Sequence, residues 1–210
     1  GSVAMNFRGA AGRHNRRART YHAGDTGDVA ALAGLVGARF PSRPLGATGY
    51  SLGGNVLLKW LGETGGDSPL TAACAVSVPF DLAACSAQLD RGLSRVYRNR
   101  LRNELVSGLL AKERALRTAG DAVEAGKLHA PGDLREVRTF REYDDRVVAP
   151  LHGFRDADEY YARSSSRGFL CCIAVPTLVI HALDDPFMTP DVVPAHHEVP
   201  SCVELAISAN

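Results

Sequence analysis

The chain contains four short apolar runs, and charged or amphipathic segments separate them. The runs lie at residues 45–50, 72–78, 176–183 and 203–208. Short apolar runs of this length are typical of strands in a parallel sheet, whose two faces are both covered by helices. A fifth run, at residues 3–7, ends at Arg8-Gly9 and predicts one further strand followed by a turn.

Amphipathic segments between these runs predict helices. Asp25-Thr26-Gly27-Asp28 offers capping side chains for one helix, whose apolar positions recur three or four residues apart until it ends near Phe40. A second helix is predicted from about Leu52 to Gly62, directly after the first of the four runs. Strands that alternate with helices in this way predict βαβ units, and hence an α/β fold with a mostly parallel sheet.

The stretch between about Asp81 and Arg167 has a different pattern. It is charged, rich in arginine and leucine, and without strong strand signals. We therefore predict that residues 81–167 form a helical cap, inserted into a single domain that spans residues 1–210. The cap is expected over the carboxyl-terminal edge of the sheet, where open α/β sheets bind ligands.

The segment ATGYSLGGNVLLKW, from Ala47 to Trp60, places Ser51 between a predicted strand and a predicted helix. Its G-x-S-x-G pattern, Gly49 to Gly53, is weak by itself in a chain with 21 glycines. The context strengthens it, because a nucleophilic serine of this type needs a strand before it, a tight turn of small residues, and a helix after it. We favour a nucleophile over an ordinary serine in a glycine-rich loop, with the Leu52 N–H as oxyanion donor.

A nucleophilic serine also needs an acid and a histidine, which follow it in that order along the chain. The acid is expected just after a later strand, where VPTLVIHALDDPFMTP supplies Asp184-Asp185-Pro186. These aspartates could equally be turn residues, and the residues alone leave the two interpretations balanced. Of the pair we prefer Asp185, because the adjacent proline fixes the loop.

Composition and charge narrow the function classes. With 45% hydrophobic residues, 22% charged residues and a net charge of +1, the chain has the composition of a soluble globular protein and no broad basic field for nucleic acid. Its basic run Arg13–Arg19 could contact phosphate, including a phospholipid head group, but such a run is more often a solvated loop. The apolar stretch 171–180 is too short to cross a bilayer, and we recognise no secretory signal.

Cysteine and histidine patterns indicate no metal or redox site. Five cysteines without paired spacing are typical of a reducing cytoplasm, and the adjacent Cys171 and Cys172 have no C-x-x-C partner. His181, Asp184 and Asp185 could ligate a cation, but they lack a helical H-x-x-x-H spacing. We therefore predict no metal and no cofactor.

Seven segments carry a resemblance to a known family. They read NFRGAAGRHNR, YHAGDTGDV, GYSLGGNVLLKWLGE, VSVPFDLAAC, FREYDDRVVAPLHGF, YYARSS and PTLVIHALDDPFMTP. In this order, over nearly the whole chain, they resemble the YheT-type serine hydrolases of the α/β-hydrolase superfamily, relatives of the abhydrolase-domain esterases and lipases. The resemblance implies an α/β-hydrolase fold and hydrolysis of a small-molecule or lipid carboxylic ester, with Ser51 as nucleophile and Asp185 as the acid of a Ser-Asp-His triad.

The sequence departs from that family pattern at both ends. Such proteins begin with further strands and an H-G type loop that donates a second oxyanion N–H, and their histidine lies in an HGGH segment after the strand that matches residues 203–208. We therefore expect an α/β-hydrolase fold that is incomplete at both ends. Ester turnover is then expected to be near background, and the alternative function is a catalytically silent hydrolase-fold protein.

The histidines within the chain are weak substitutes for that base. His196 and His197 precede the last predicted strand, in a loop where a histidine pair is most often exposed. His181 lies within the strand before the acid, where we expect a core histidine whose hydrogen bonds are satisfied. His22 and His152 match family positions and are expected to support the structure or the pocket.

Overall fold

Four parallel strands form one sheet in the computed structural model, which describes residues 1–129 and 133–209. The strands are β1 (Gly46–Tyr50), β2 (Ala72–Val76), β3 (Thr177–Ala182) and β4 (Val203–Ser208), in the order β1-β2-β3-β4. Every neighbouring pair is parallel. The four strands and the parallel sheet predicted from the apolar runs are therefore confirmed.

The strand register brings the carboxyl ends of the strands to one level. Tyr50 pairs with Val76, Val76 pairs with Ile180, and Ile180 pairs with Ala206. The segments that follow β1, β2 and β3 therefore leave the sheet side by side. This is the edge at which a parallel sheet presents ligand-binding groups.

Two helices confirm the predictions made for the first third of the chain. They are α1 (Gly27–Arg39) and α2 (Leu52–Thr64), and α2 continues past the predicted end at Gly62. The later helices are α3 (Leu82–Leu89), α4 (Ser94–Thr118), α5 (Ala122–Lys127), α6 (Phe140–Tyr143), α7 (Ala149–His152) and α8 (Ala157–Ser164). A π-helical turn at Asp144–Val148 joins α6 to α7.

Short 3₁₀ helices complete the regular structure. They lie at Gly65–Asp67, Leu134–Glu136, Ser166–Cys172, Pro190–Val192 and His196–Glu198. Residues 81–129 and 133–167 contain helices and no strand. In the same described part of the chain, no helix combines the length and the apolar character that crossing a membrane requires.

The strand predicted at residues 3–7 is wrong. These residues are described and form no regular element, and Val3 is exposed. Phe7 instead stacks its ring on that of Tyr21, with the ring centroids 5.2 Å apart. A short apolar run becomes a strand only where a neighbouring strand supplies backbone hydrogen bonds, and this run packs through an aromatic ring instead.

The chain divides into two compact units. The helical unit comprises residues 1–22 and 86–160, and the sheet unit comprises residues 23–85 and the chain from Tyr161 onward. All four strands, α1 and α2 belong to the sheet unit. The proposed organisation, one domain with residues 81–167 as its cap, stays a prediction.

The core of the sheet unit is built around α2. Every residue of this helix from Gly54 to Leu61 is buried, so the helix is covered on all sides. Gly62 lies so close to Phe169 that an added Cβ would collide with the Phe169 carbonyl oxygen. The apolar side chains that share this core include Leu57, Leu58, Trp60, Leu61, Val78, Phe80, Leu170, Val179 and Val203.

The helical unit contains a buried charged network. The Lys112 ammonium on α4 donates hydrogen bonds to the Asn15 side chain (2.8 Å) and to the Ala18 and Arg19 carbonyls (2.9 and 2.7 Å). The Glu124 carboxylate on α5 accepts a hydrogen bond from the Ala18 N–H. Burial lowers the pKa of Lys112 to about 8. The network fixes the backbone of the basic run Arg13–Arg19, while the arginine side chains of that run stay exposed.

Candidate active site

Ser51 occupies the turn between β1 and α2. Its backbone angles are φ 48° and ψ −119°, a region that residues other than glycine rarely adopt. Its N–H donates a hydrogen bond to the Val76 carbonyl on β2 (2.8 Å), which continues the sheet ladder by one residue. The residue is exposed. The turn therefore holds a serine in a strained conformation and presents it to solvent at the carboxyl edge of the sheet.

Two glycines, Gly49 and Gly54, make this turn possible, and only Gly49 belongs to the G-x-S-x-G pattern. An added Cβ at Gly49 would stand 2.5 Å from the Gly53 carbonyl oxygen and 2.8 Å from the Gly54 Cα. An added Cβ at Gly54 would stand 2.6 Å from the Val78 side chain. At Gly53 it would meet nothing within 4 Å. The close approach of α2 to β1 therefore requires Gly49 and Gly54, while Gly53 is free of that constraint.

The beginning of α2 offers donors for an anion next to Ser51. The first helical hydrogen bond runs from the Asn55 N–H to the Ser51 carbonyl (3.1 Å), so the N–H groups of residues 52–54 precede the helical ladder. The Ser51 side chain makes no capping hydrogen bond with them. The half-buried Leu52, the first residue of the helix, supplies the N–H closest in sequence to Ser51. Such groups stabilise negative charge, so Leu52 stays the predicted oxyanion donor.

Asn55 anchors α2, and sequence reasoning missed it. The side chain is fully buried, and its amide donates to the Ala23 carbonyl (2.9 Å) and to the Ser164 carbonyl (2.8 Å). Its oxygen accepts from the Ser166 N–H (2.9 Å). The available signal was a single amide side chain at the start of an otherwise apolar helical run. Its partners, however, are far away in the sequence.

The turn after β3 distinguishes the two candidate acids. Asp184 is exposed, whereas Asp185 is half-buried. Asp185 Oδ1 accepts a hydrogen bond from the Phe187 N–H (2.9 Å), which fixes the carboxylate within the turn. Burial, together with the nearby charges of Asp81 and Asp185, raises the pKa of the Cys85 thiol to about 12. The choice of Asp185 as the triad acid stays a prediction.

His181 lies in the core of the sheet unit, as expected for its place on β3. It is buried, and its ring centroid lies 5.8 Å from that of Phe80. Burial lowers the pKa of the imidazole, and the charge of Asp185 opposes that shift. The expectation that its hydrogen bonds are satisfied is wrong at Nδ1, which has no partner in the described part of the chain. Its position on β3 fixes the side chain on a buried face of the sheet, next to the ring of Phe80.

Ser77 is a second strained serine, and no sequence pattern singles it out. It follows β2, its φ is 50°, and its N–H donates to the Ile180 carbonyl on β3 (2.9 Å). Ser51 and Ser77 therefore leave neighbouring strands at the same level. No glycine within two residues of Ser77 marks the turn in the sequence.

The other four histidines considered as candidates lie two in each unit. In the sheet unit, His196 and His197 are exposed on the short helix His196–Glu198, which the Arg167–Glu198 ion pair (2.8 Å) holds in place. In the helical unit, the rings of His22 and His152 lie 4.5 Å apart, and His152 Nε2 lies 3.0 Å from Thr20 Oγ1. Neither Ser51 nor Asp185 has a hydrogen bond to a histidine within residues 1–129 and 133–209.

Comparison with known proteins adds sequence and fold similarity to this geometry. The chain is 42% identical over 207 residues to YheT of Escherichia coli strain K12, which bears the name of a candidate esterase; the match covers 98% of this chain and 58% of YheT. It is 32% identical over 192 residues to phospholipase ABHD3 of Mus musculus, covering 91% of this chain and 45% of that protein. The chain thus spans about half the length of the curated relatives it matches.

The fold is similar to that of solved esterases. The structure of an esterase from Pyrococcus furiosus matches with a TM-score of 0.50 and 17% sequence identity, covering 90% of this chain and 55% of that one. A parallel sheet flanked by helices is common to both, which shows the α/β-hydrolase fold. No family model matches the chain.

Proposed function

This chain belongs to the α/β-hydrolase superfamily, in its YheT-type group, and from that membership we propose that it hydrolyses carboxylic esters. The observation that carries the proposal is the strained, exposed Ser51 between β1 and α2. A serine held in a sparsely populated conformation at a strand-to-helix turn is the arrangement that nucleophilic catalysis on this fold requires.

The proposed reaction has two stages. Ser51 Oγ attacks the acyl carbon, a histidine accepts the hydroxyl proton, and the same histidine then protonates the departing alcohol. Water hydrolyses the acyl-serine by the reverse sequence of proton transfers. Asp185 would orient the histidine, which we expect, from the family resemblance, after the strand that corresponds to β4.

Backbone donors at α2 would stabilise the tetrahedral intermediate. The Leu52 N–H lies ahead of the helical hydrogen-bond ladder and is the proposed donor to the oxyanion. The positive end of the helix dipole adds to the same effect, because α2 is a full 13-residue helix.

The substrate class follows from the relatives rather than from the site. ABHD3 is named a phospholipase and YheT a candidate esterase, and both names describe action on esters. We propose a lipid or small-molecule ester as the substrate, without a cofactor.

A second candidate is a catalytically silent hydrolase-fold protein. One observation favours it: in the described residues, Asp185 is hydrogen-bonded to the Phe187 N–H and not to a histidine. A serine without its base is a weak nucleophile, and loss of the base costs on the order of a million-fold in the best-studied protease.

Hydrolysis of p-nitrophenyl acetate by this chain and by Ser51→Ala separates the two functions. We expect turnover near background from residues 1–210 alone, because no histidine that the structure describes is hydrogen-bonded to Ser51 or Asp185. The same assay on a chain extended as in the full-length relatives is expected to give turnover that Ser51→Ala abolishes. An extended chain that is inactive, or that stays active in Ser51→Ala, would refute the proposed esterase.

A further inference from the structure

Two neighbouring cysteines, Cys171 and Cys172, lie on the surface of the sheet unit. They end the short 3₁₀ helix Ser166–Cys172, and both are exposed. Their sulfur atoms are 3.6 Å apart and share a hydrogen bond in which either thiol can be the donor. The pair lacks the C-x-x-C spacing of a redox motif, so the sequence does not mark it as a site. The structure nevertheless presents two thiols that a single atom can reach.

The other three cysteines are in a different environment. Cys85 is buried, while Cys74 and Cys202 are half-buried. The Cys202 thiol donates a hydrogen bond to the Ile173 carbonyl (3.2 Å). Buried thiols behave as small apolar side chains, whereas exposed thiols are available to reagents in solution. The adjacent pair is therefore the part of the chain in which two thiols are open to a ligand from solvent.

The inner side of the 3₁₀ helix holds its backbone in place. The Ser166 N–H donates to the Asn55 side chain (2.9 Å), and Leu170 and Ile173, which flank the cysteine pair, are buried in the core of the sheet unit. The Ile173 N–H donates to the Leu170 carbonyl (3.2 Å). Side chains on a fixed backbone lose less freedom when they bind a ligand, so the two thiols form a pre-organised pair.

The separation of the two sulfur atoms distinguishes the ways in which they can be joined. A direct S–S bond needs a separation of about 2.05 Å and Cβ atoms about 3.8 Å apart, which neighbouring residues of a helix do not provide without a change of backbone. Two bonds of about 2.3 Å, the usual length between a thiolate and zinc, span 3.6 Å when they meet at roughly 100°. A linear arrangement of the same bonds would span about 4.6 Å. The pair therefore fits a bridging atom whose two bonds to sulfur form a bent arrangement.

The number of thiols narrows the choice of bridging atom. A tetrahedral ion such as zinc takes four ligands, and the described residues contain no group of three or more histidine, cysteine and carboxylate side chains placed to hold one ion. Trivalent arsenic has a strong affinity for thiols and forms three bonds in a pyramid. In a monosubstituted arsenical, one of these bonds goes to carbon and two remain for sulfur. Two thiols at this separation match that requirement.

We propose that Cys171 and Cys172 form a chelating site for a monosubstituted trivalent arsenical. With an organoarsenic oxide, the two S–H bonds and the As–O bond break, two S–As bonds form, and the oxygen leaves with both protons as water. Arsenic stays trivalent, so the step needs no oxidant or reductant. Leu170 and Ile173 stay in the core, because the exposed thiols react from the solvent side.

The same geometry disfavours oxidation of the pair. The hydrogen bond with Cys171 raises the pKa of the Cys172 thiol. A raised pKa lowers the thiolate fraction at neutral pH, and thiolate is the species that oxidants attack. The reduced form that chelation requires is therefore favoured over sulfenic acid or disulfide.

Titration of the reduced chain with phenylarsine oxide tests the proposal. We expect one equivalent to bind, and mass spectrometry to locate it on the peptide that contains residues 171 and 172. A moderate excess of 2-mercaptoethanol should leave the adduct intact, whereas ethane-1,2-dithiol should remove it, because a dithiol replaces both sulfur atoms with one molecule. Cys171→Ser and Cys172→Ser are each expected to weaken binding about a hundredfold or more, since each removes the second attachment.

The chain offers a matched control for these variants. Cys202→Ser removes a half-buried thiol outside the pair, and the serine hydroxyl can still donate to the Ile173 carbonyl. This variant is expected to bind as the parent chain does, and circular dichroism checks that all variants are folded. A peptide of residues 166–175 measures the contribution of the fixed backbone. It is expected to bind at least about fivefold more weakly, because its two thiols are not held together.

Several outcomes would overturn the proposal. They are unchanged affinity of Cys171→Ser or Cys172→Ser, displacement of the adduct by 2-mercaptoethanol, and a peptide that binds as tightly as the chain. A disulfide between the two residues in a chain purified without reductant would assign the pair to oxidation instead. Zinc that stays bound through desalting, and is lost in Cys172→Ser, would assign it to a tetrahedral ion. None of these measurements depends on catalysis, so they are independent of the proposed esterase.

Discussion

Ser51 and Ser77 leave adjacent strands of the sheet at the same level, yet they enter different structures. Both have positive φ values, 48° and 50°, and both donate their N–H to the next strand. Ser51 leads into the helix α2, which provides N–H groups ahead of its hydrogen-bond ladder. Ser77 leads into Val78 and Pro79, and proline has no N–H to offer. Both serines therefore share the backbone strain, and the N–H groups that follow Ser51 are what distinguish the two turns.

The strand residues two positions before Ser51 and Ser77 also differ. Gly49 on β1 pairs in register with Ala75 on β2, and Ala75 is completely buried. The Cβ of Ala75 fits in its place, whereas a Cβ at Gly49 would collide with the backbone of α2. The returning helix is what requires glycine at one position and permits alanine at the other.

The largest expected effect is a difference in the reactivity of the Ser51 and Ser77 hydroxyls. In a chain extended as in the full-length relatives, Ser51→Ala should slow labelling by a fluorophosphonate probe by at least about a hundredfold, because the probe reacts with an activated hydroxyl. Ser77→Ala should label as the parent chain does. Mass spectrometry of the labelled peptides locates the modified residue, and labelling at Ser77 would reverse the comparison.

The glycine below Ser51 should be the most costly to replace. Gly49→Ala is expected to lower the free energy of unfolding by about 3 kcal/mol, since the added Cβ cannot fit beside Gly53 and Gly54. Gly53→Ala, where the space is open, should lie within about 0.5 kcal/mol of the parent chain. Urea denaturation measures both, and equal losses would show that the steric explanation is wrong.

Asn55 should matter for the position of the helix behind Ser51. Asn55→Ala removes three buried hydrogen bonds and is expected to cost about 2 kcal/mol or more, because it leaves buried backbone groups without partners. Thr64→Ala, at the last residue of the same helix, removes the hydrogen bond from the Thr64 hydroxyl to the Trp60 carbonyl and should cost less. If the two variants unfold at the same urea concentration, Asn55 does not anchor α2.

The smallest effect concerns the strain that both serines share. Ser51→Gly and Ser77→Gly should each raise the free energy of unfolding by roughly 1 kcal/mol, because glycine adopts positive φ without a steric penalty. Thermal denaturation of the two variants measures the gain. A destabilised Ser77→Gly would mean that contacts of the serine side chain outweigh the strain in that turn.

The sequence predicted the sheet well because its signals are local. Short apolar runs identified β1 to β4, and the small residues around Ser51 identified the turn into α2. Asn55 could not be assigned, because its partners Ala23 and Ser164 approach it only in the fold. Ser77 was missed for a related reason: its strain arises from the pairing of β2 with β3 and has no glycine to mark it.

The helical unit was harder to predict in detail. The apolar residues that begin at Leu93 recur at helical spacing, a pattern that normally indicates a core-facing side. The structure places them outward because Arg98 and Asp90 pair on the inner side. Whether a helix turns its apolar or its polar face inward depends on such partners, which periodicity does not contain.

The spacing of the strands along the chain has a consequence for how the protein acquires its structure. β1, α2 and β2 are consecutive and can pair once residue 76 has left the ribosome, whereas β3 begins only at Thr177 and must close a long loop to reach β2. Contacts of high sequence separation form slowly. The nascent chain is thus expected to carry an early β1-α2-β2 nucleus with an unpaired β2 edge. How long that edge stays unpaired depends on the residues of the helical unit, which separate β2 from β3 along the chain.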